Sequence, residues 1–276
     1  MIGAEQELAR VLDNRRLTAE IYQLTLRLPR DWGPPSPGQF VQIECLKDQP
    51  FAMRRPFSIA RWRRGELGNE IHLVYAPIGR GTEELTRRVA GDQLEVIGPL
   101  GRGFRPVSGK EPVLVGGGRG IAPMLMLADS LRPEFPRGTI LFGVRRLTQL
   151  YRLEEVPYPV RHATEDGSEG FRGNVIQFLD HLREEGMIQP RTHALYACGP
   201  NPMLHALSDW SRLHRFDCQV SLETLFGCGF GICAGCAIPV RPVEGEKTDE
   251  FGHYRFACVD GPVFDAERVD WEGVRE

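Results

Sequence analysis

Long apolar runs are missing from this sequence. None approaches the roughly 20 residues needed to cross a bilayer, so no membrane-spanning role is expected. An excess of either charge is missing too: 34 Lys and Arg face 37 Asp and Glu, a formal net charge of −3. Nucleic acids and anionic membranes select a basic stripe, so neither is expected as a partner. Arg54-Arg55 and Arg61-Trp62-Arg63-Arg64 read instead as local anion sites or solvated loops. The first residues, Met1 to Gln6, lack the basic and apolar regions of an export signal. Internal repeats and low-complexity tracts are absent. So is any His/carboxylate or Ser/His set suited to acid–base or nucleophilic work on an organic substrate.

A second short cysteine pair is also lacking, and this bears on metal choice. Zinc ribbons usually present two C-x2-C type pairs. Here Cys228, Cys233 and Cys236 form a C-x4-C-x2-C triplet, with Cys258 far downstream. That is the plant-type spacing for a [2Fe–2S] cluster, with structural zinc as the alternative. Gly227, Gly229, Gly231 and Gly235 permit a tight wrap that brings backbone N–H groups to the sulfurs. Of the seven cysteines, Cys45, Cys198 and Cys218 remain. Three widely spread thiols argue for a reducing, cytoplasmic setting over a disulfide framework. Phe226, Phe230 and Ile232 flank the cluster cysteines, either as an exposed rim for a partner or folded back into the core.

The chain changes grammar twice. Up to about Phe104, short alternating runs punctuated by Gly and Pro suggest an antiparallel barrel or sandwich. These runs pass through Leu17, Ala19 and Ile21; Leu24, Leu26 and Leu28; Phe40 to Cys45; Ile71 to Ala76; and Leu94 to Ile97. One helix is expected from Gly81 to Val89, capped by Thr82. From Val113 onward, apolar runs alternate with helices at Ile121–Leu131, Val175–Glu185 and Pro202–His214, the pattern of a parallel sheet covered on both faces. From about Gln219, little regular structure is expected. The fold class is therefore α+β multidomain: an antiparallel β-barrel at 1–106, an α/β parallel-sheet nucleotide domain at 107–217, and a small C-terminal cluster domain at 218–276.

Four stretches can be read as seeking nucleotides. Arg55-Pro56-Phe57-Ser58, expected between two β runs, pairs a guanidinium that can grip a diphosphate with a hydroxyl for a ring edge. Gly81 and Thr82 lie at a helix start, where anions are favoured; each feature is equally readable as a charged turn or an ordinary cap. Gly116-Gly117-Gly118-Arg119-Gly120-Ile121-Ala122-Pro123 follows a buried strand and opens a helix, the context of a phosphate-binding turn. Ile121 stands where a third motif glycine would fall, and Pro123 suits a first helical turn. No acidic residue follows the second strand; Arg145 and Arg146 stand there, and on electrostatics alone they would suit a 2′-phosphate. Cys198-Gly199-Pro200 sits at the carboxyl edge of a strand, either touching a nicotinamide or serving as a buried core thiol.

Together these motifs resemble the ferredoxin–NADP reductase superfamily over nearly the whole chain. Gly98–Gly101, Gly143–Arg145, Thr164–Ser168, Ser221–Glu223 and Cys258–Phe264 are similar to the electron-transfer subunit of NAD-dependent dihydroorotate dehydrogenase. The resemblance implies FAD on the barrel, held by Arg55, Pro56, Phe57, Ser58, Val74, Tyr75, Ala76, Gly81 and Thr82. It implies NAD on Gly116, Gly117, Gly118, Gly120, Ile121, Pro123, Cys198, Gly199 and Pro200. It also implies Ser58 and Cys198 beside the reacting rings, and a [2Fe–2S] cluster on Cys228, Cys233, Cys236 and Cys258. The partner it implies is an FMN-containing catalytic subunit in a hetero-oligomer, with the orotate site on that other chain. Related subunits serve NADH-dependent reduced ferredoxin:NADP oxidoreductases and sulfhydrogenases, and a non-catalytic redox sensor is a further alternative.

Overall fold

A computed structural model describes residues 5–29, 31–46, 53–242 and 251–274. Residues Met1–Ala4, read above for an export signal, lie outside these.

Six strands make the first domain: β1 (Glu5–Arg16), β2 (Tyr22–Leu28), β3 (Phe40–Ile43), β4 (Arg55–Gly65), β5 (Gly68–Tyr75) and β6 (Gln93–Leu100). They close in the order β1-β2-β5-β4-β3-β6, antiparallel throughout. Closure removes the free edges that an open sheet would expose. Leu24, Leu26, Leu28, Val41, Ile43, Ile59, Ile71 and Leu73 fill the interior. Trp32 is buried with them, its Nε1 donating to the Gly98 carbonyl at 3.1 Å.

Three expectations change here. Leu17, Ala19 and Ile21 are not a strand but the turn after β1, where the Leu17 and Thr18 amides donate to the Ile21 carbonyl at 2.8 and 3.2 Å. The Arg55–Ser58 stretch is not between strands but opens β4, where Pro56 pairs with Gln42. The helix is shorter than expected, α1 (Arg80–Leu85), and Gly79 is its cap. Thr82 sits one turn inside, its Oγ1 accepting from the Ile78 and Gly79 amides at 3.1 and 3.3 Å.

The second domain is a seven-stranded sheet. Its elements are β7 (Glu111–Gly117), α2 (Ile121–Leu131), β8 (Thr139–Val144), β9 (Val160–Thr164), β10 (Phe171–Arg172), α3 (Val175–Glu184), β11 (His193–Cys198), α4 (Asn201–His214) and β12 (Cys218–Ser221). Two short strands, β13 (Ala237–Pro239) and β14 (Tyr254–Phe256), pair only with each other; β15 (Val263–Asp265) returns to the large sheet. The sheet order is β10-β9-β8-β7-β11-β12-β15, parallel except where β15 runs antiparallel to β12. The stretch beyond Gln219, expected to be irregular, thus lends strands to the sheet. β12, four residues long and buried throughout although it carries Gln219 and Ser221, shows no apolar run in the sequence.

Shared cores lock the parts together. Ala60, Val74 and Ala76 of the barrel pack with Ile121, Ala122 and Leu125 of α2. Phe40 and Leu100 on the barrel's outer wall pack with Phe226, Cys236 and Cys258 of the cluster segment. Apolar burial of this kind is worth about 25 cal/mol per Å2, which holds the segments as one body.

Candidate functional site

Where barrel, sheet and cluster segment meet there is a cavity of about 400 Å3. Strand β4 supplies Arg55, Pro56, Phe57 and Ser58; β5 and the residue after it supply Val74, Tyr75 and Ala76; Thr82 comes from α1. From the second domain come Arg119, Gly120 and Cys198, and from the cluster segment Leu222, Glu223, Thr224, Phe226 and Pro262. Gly81 does not line the cavity but lies against Arg55: a Cβ there would make ordinary contact with it, 3.5 Å from its Nε. Cys198 is buried at the cavity wall, and burial pushes its thiol well above the ordinary range. It is therefore a neutral, soft contact and not a thiolate nucleophile. Arg80, Arg119 and Glu223, which sequence reasoning did not place at a site, complete this lining.

A second cleft of about 840 Å3 adjoins it, sharing Ala76, Ile78 and Arg119. Gly117, Gly118, Pro200 and Met203 form its floor. The glycines have distinct reasons to be there. Gly118 has φ +55° with open space where a side chain would be, whereas a Cβ on Gly120 would lie 2.2 Å from the Cys198 carbonyl oxygen. The Gly120 approach draws the turn onto the Cys198-Gly199 backbone; Gly116, Gly199, Ile121 and Pro123 support it from behind without lining either space. Arg145 lines the cleft, but so does Glu165. The acidic side chain absent after the second strand is supplied by the end of the third, β9. The signal for it was an acidic residue at the carboxyl edge of a neighbouring parallel strand.

The four thiols lie as two pairs. Cys236 Sγ and Cys258 Sγ are 3.1 Å apart. The Cys228 amide donates to Cys233 Sγ at 3.4 Å, and the Phe230 and Ile232 amides donate to Cys228 Sγ at 3.5 and 3.3 Å. Burial opposes the Cys228 thiolate, but these amides outweigh it and bring the thiol down to about 7. The Cys258 S–H and nearby amides bring Cys236 down to about 6. Donors aimed at sulfur favour the thiolate, the form that ligates metal. Among the described residues no three Cys, His, Asp or Glu converge on one point. Two pairs of cysteine sulfurs suit a two-iron cluster, which takes two on each iron, better than a single tetrahedral zinc. The flanking apolar residues divide: Phe226 is buried against Phe40, ring centroids 4.8 Å apart, whereas Phe230 is 45% and Ile232 80% exposed.

Comparison with known proteins decides the family. Residues 223–270 match the iron–sulfur cluster binding domain of dihydroorotate dehydrogenase B. The electron transfer subunit of dihydroorotate dehydrogenase B (NAD(+)) from Caldanaerobacter subterraneus subsp. tengcongensis is 38% identical over 263 residues, 95% of this chain and 97% of that one. The chain belongs to this family. The corresponding subunit from Geobacillus thermodenitrificans is 34% identical over 275 residues, covering 98% and 99%. Among solved structures, one of an NADH-dependent reduced ferredoxin-NADP oxidoreductase aligns with TM-score 0.81 and 28% identity, over 99% of this chain and 92% of that one. The ferredoxin reductase of carbazole 1,9a-dioxygenase shares the fold, with TM-score 0.63, 24% identity and coverage of 78% and 66%. The chain thus combines a ferredoxin-reductase-like barrel and nucleotide domain with an iron–sulfur domain.

Proposed function

We propose that this chain carries electrons between NAD and an FMN-containing catalytic partner in dihydroorotate oxidation to orotate, through FAD and a [2Fe–2S] cluster. The observation that carries the reading is the 400 Å3 cavity, whose wall is drawn at once from the barrel, the nucleotide turn and the cluster segment. When bound there, a flavin trades a hydride with nicotinamide and single electrons with the cluster, so it converts two-electron into one-electron chemistry.

The chain's own residues place and tune. Arg55, beside Gly81 at the start of α1, grips the FAD diphosphate together with Thr82. Pro56, Phe57, Val74, Tyr75 and Ala76 shape the flavin's bed, and Ser58 offers its hydroxyl at the ring's reactive edge. Gly116 to Gly118, Gly120, Ile121 and Pro123 form and brace the turn that takes the NAD diphosphate. Gly199 and Pro200 close its far side, and neutral Cys198 rests beside the nicotinamide. Glu165 beside Arg145 balances the charge of the cleft, in keeping with NAD over NADP. Cys228, Cys233, Cys236 and Cys258 hold the cluster. Exposed Phe230 and Ile232 form the rim where the partner approaches, and the assembly is a heterotetramer. A cytoplasmic setting is in keeping with its free thiols, and no helix among the described residues is long and apolar enough to cross a membrane.

Co-expression with the FMN subunit tests this. The complex should reduce NAD with dihydroorotate, while the chain alone should pass electrons from NADH to a dye. Dye reduction without any coupling to dihydroorotate would move the chain to the ferredoxin-linked reductases.

A further inference from the structure

Gln42 is the one residue on β3 that the site described so far leaves without a purpose. It is 0% exposed, yet neither its Nε2 nor its Oε1 has a hydrogen-bond partner among the described residues. A buried carboxamide left unpaired is costly, so its presence points to an unseen acceptor or donor. Its direction is fixed by the strand. Val41 and Ile43 fill the barrel interior, while Phe40 packs with the cluster segment. Gln42 alternates with Val41 and Ile43, and so faces the cluster segment. It meets the loop at Gly229, next to Cys228: a Cβ added to Gly229 would lie 2.9 Å from Gln42 Cγ and 3.1 Å from its Nε2. Gly229, with φ +91°, leaves room for this amide.

The loop around it is already organised as a set of donors. The Cys228 amide points at Cys233 Sγ, those of Phe230 and Ile232 at Cys228 Sγ, and that of Gly231 at Cys258. Gln42 adds a side-chain N–H at the same place, from a strand paired with β4 through Pro56. We propose that Gln42 Nε2 donates a hydrogen bond to a sulfur of the loaded cluster and thereby raises its reduction potential. Reduction adds one electron and no proton, so the cluster gains one negative charge, part of it on the sulfur acceptor. Hydrogen bonds to charged acceptors are the strong ones, and the bond tightens in the reduced form. By this means β3 sets the driving force for transfer from the flavin that its neighbour β4 carries.

The inference rests on the four-thiolate cluster reading, and the test separates the two. Potentiometric titration of the holoprotein, followed by electron paramagnetic resonance of the reduced cluster, should place Gln42→Met below wild type. The expected drop is about tenfold in the flavin-to-cluster equilibrium, 59 mV for one electron. The flavin potential and NADH-driven dye reduction should stay unchanged. A cluster signal at the wild-type potential in Gln42→Met would overturn the proposal, while absence of iron from the wild type would overturn the cluster reading instead. Should Gln42→Met fail to assemble, the wild type decides. With 15N placed only in glutamine side chains, pulsed resonance should show coupling of that nitrogen to the reduced cluster, and its absence overturns the proposal.

Discussion

Alanine at Gly118 and alanine at Gly120 should damage the protein in different ways, although only one residue separates them. Gly118 has φ +55° and nothing within 4 Å of an added Cβ, so its cost is conformational. A left-handed L-residue costs about 1–2 kcal/mol, partly offset by the stiffer unfolded chain, leaving about 1 kcal/mol. At roughly 2–4 °C per kcal/mol, the melting temperature falls by about 3 °C. The new methyl projects into the 840 Å3 cleft, so the KM for NADH should rise about tenfold, a loss of about 1.4 kcal/mol in binding. Gly120 has φ −63°, which alanine adopts freely. Its Cβ would lie 2.2 Å from the Cys198 oxygen, 2.3 Å from the Cys198 carbonyl carbon and 2.5 Å from the Gly199 nitrogen. All three are backbone atoms of β11 or the turn after it, and no side-chain rotation relieves the overlap. Overpacking costs about 1–3 kcal/mol; with both partners rigid the upper end applies, a fall of roughly 9 °C by the same conversion. Thermal melts of both variants, alongside steady-state NADH kinetics, check this. Equal shifts, or a silent Gly120→Ala, would refute the close approach of turn and strand on which the nucleotide site is built.

Cys233→Ser should bleach the iron–sulfur absorption and leave FAD bound; metal analysis that finds zinc and no iron in the wild type would refute the two-iron site. Burial, reinforced by Arg63 and Arg61, holds His72 down at about 4, against 6.5 in the unfolded chain. The unfolded state therefore binds the proton first, so stability is complete above pH 6.5 and is lost by about 3 kcal/mol as pH falls to 4. Denaturant melts of His72→Gln should lose that acid slope relative to wild type. Phe230→Asp and Ile232→Asp should block delivery to the FMN subunit by setting a charge in a dry contact while sparing NADH-driven dye reduction. Undiminished transfer in both variants would move the docking face elsewhere.

Legibility in the sequence followed physical contrast. Strands β7, β8 and β11 and helix α2 were readable because parallel strands buried on both faces and the helix against them are apolar almost throughout. β1 was not: Glu5, Glu7, Arg10 and Arg15 are spread along it, and only Ala9 and Val11 are fully buried. The tail of that pattern, Leu17 to Ile21, looked more strand-like than the strand. The cluster cysteines and the glycine turn announced themselves because metal and phosphate chemistry constrain spacing. Glu165 and Gln42 did not, because neither belongs to a spaced motif and only the folded strands show which site each one faces. Phe226, Phe230 and Ile232 are equally apolar, and only packing against Phe40 separates the buried one from the two exposed.

The pairing of β12 with β15 has a consequence for how such a chain can be built. Ser221 lies directly opposite Val263 in that antiparallel pair. Residues 222–262, with all four cluster cysteines, therefore leave the sheet and re-enter it at the same point. The iron-binding part is a cassette set into a hairpin rather than a tail. A stop codon inside it would strip the sheet of β15 as well as the fourth thiolate. Clean excision, by contrast, leaves two neighbouring strand ends that a short turn can join. A two-domain reductase could thus acquire or discard a one-electron outlet in a single genetic step, with the strand order behind its nucleotide site unchanged.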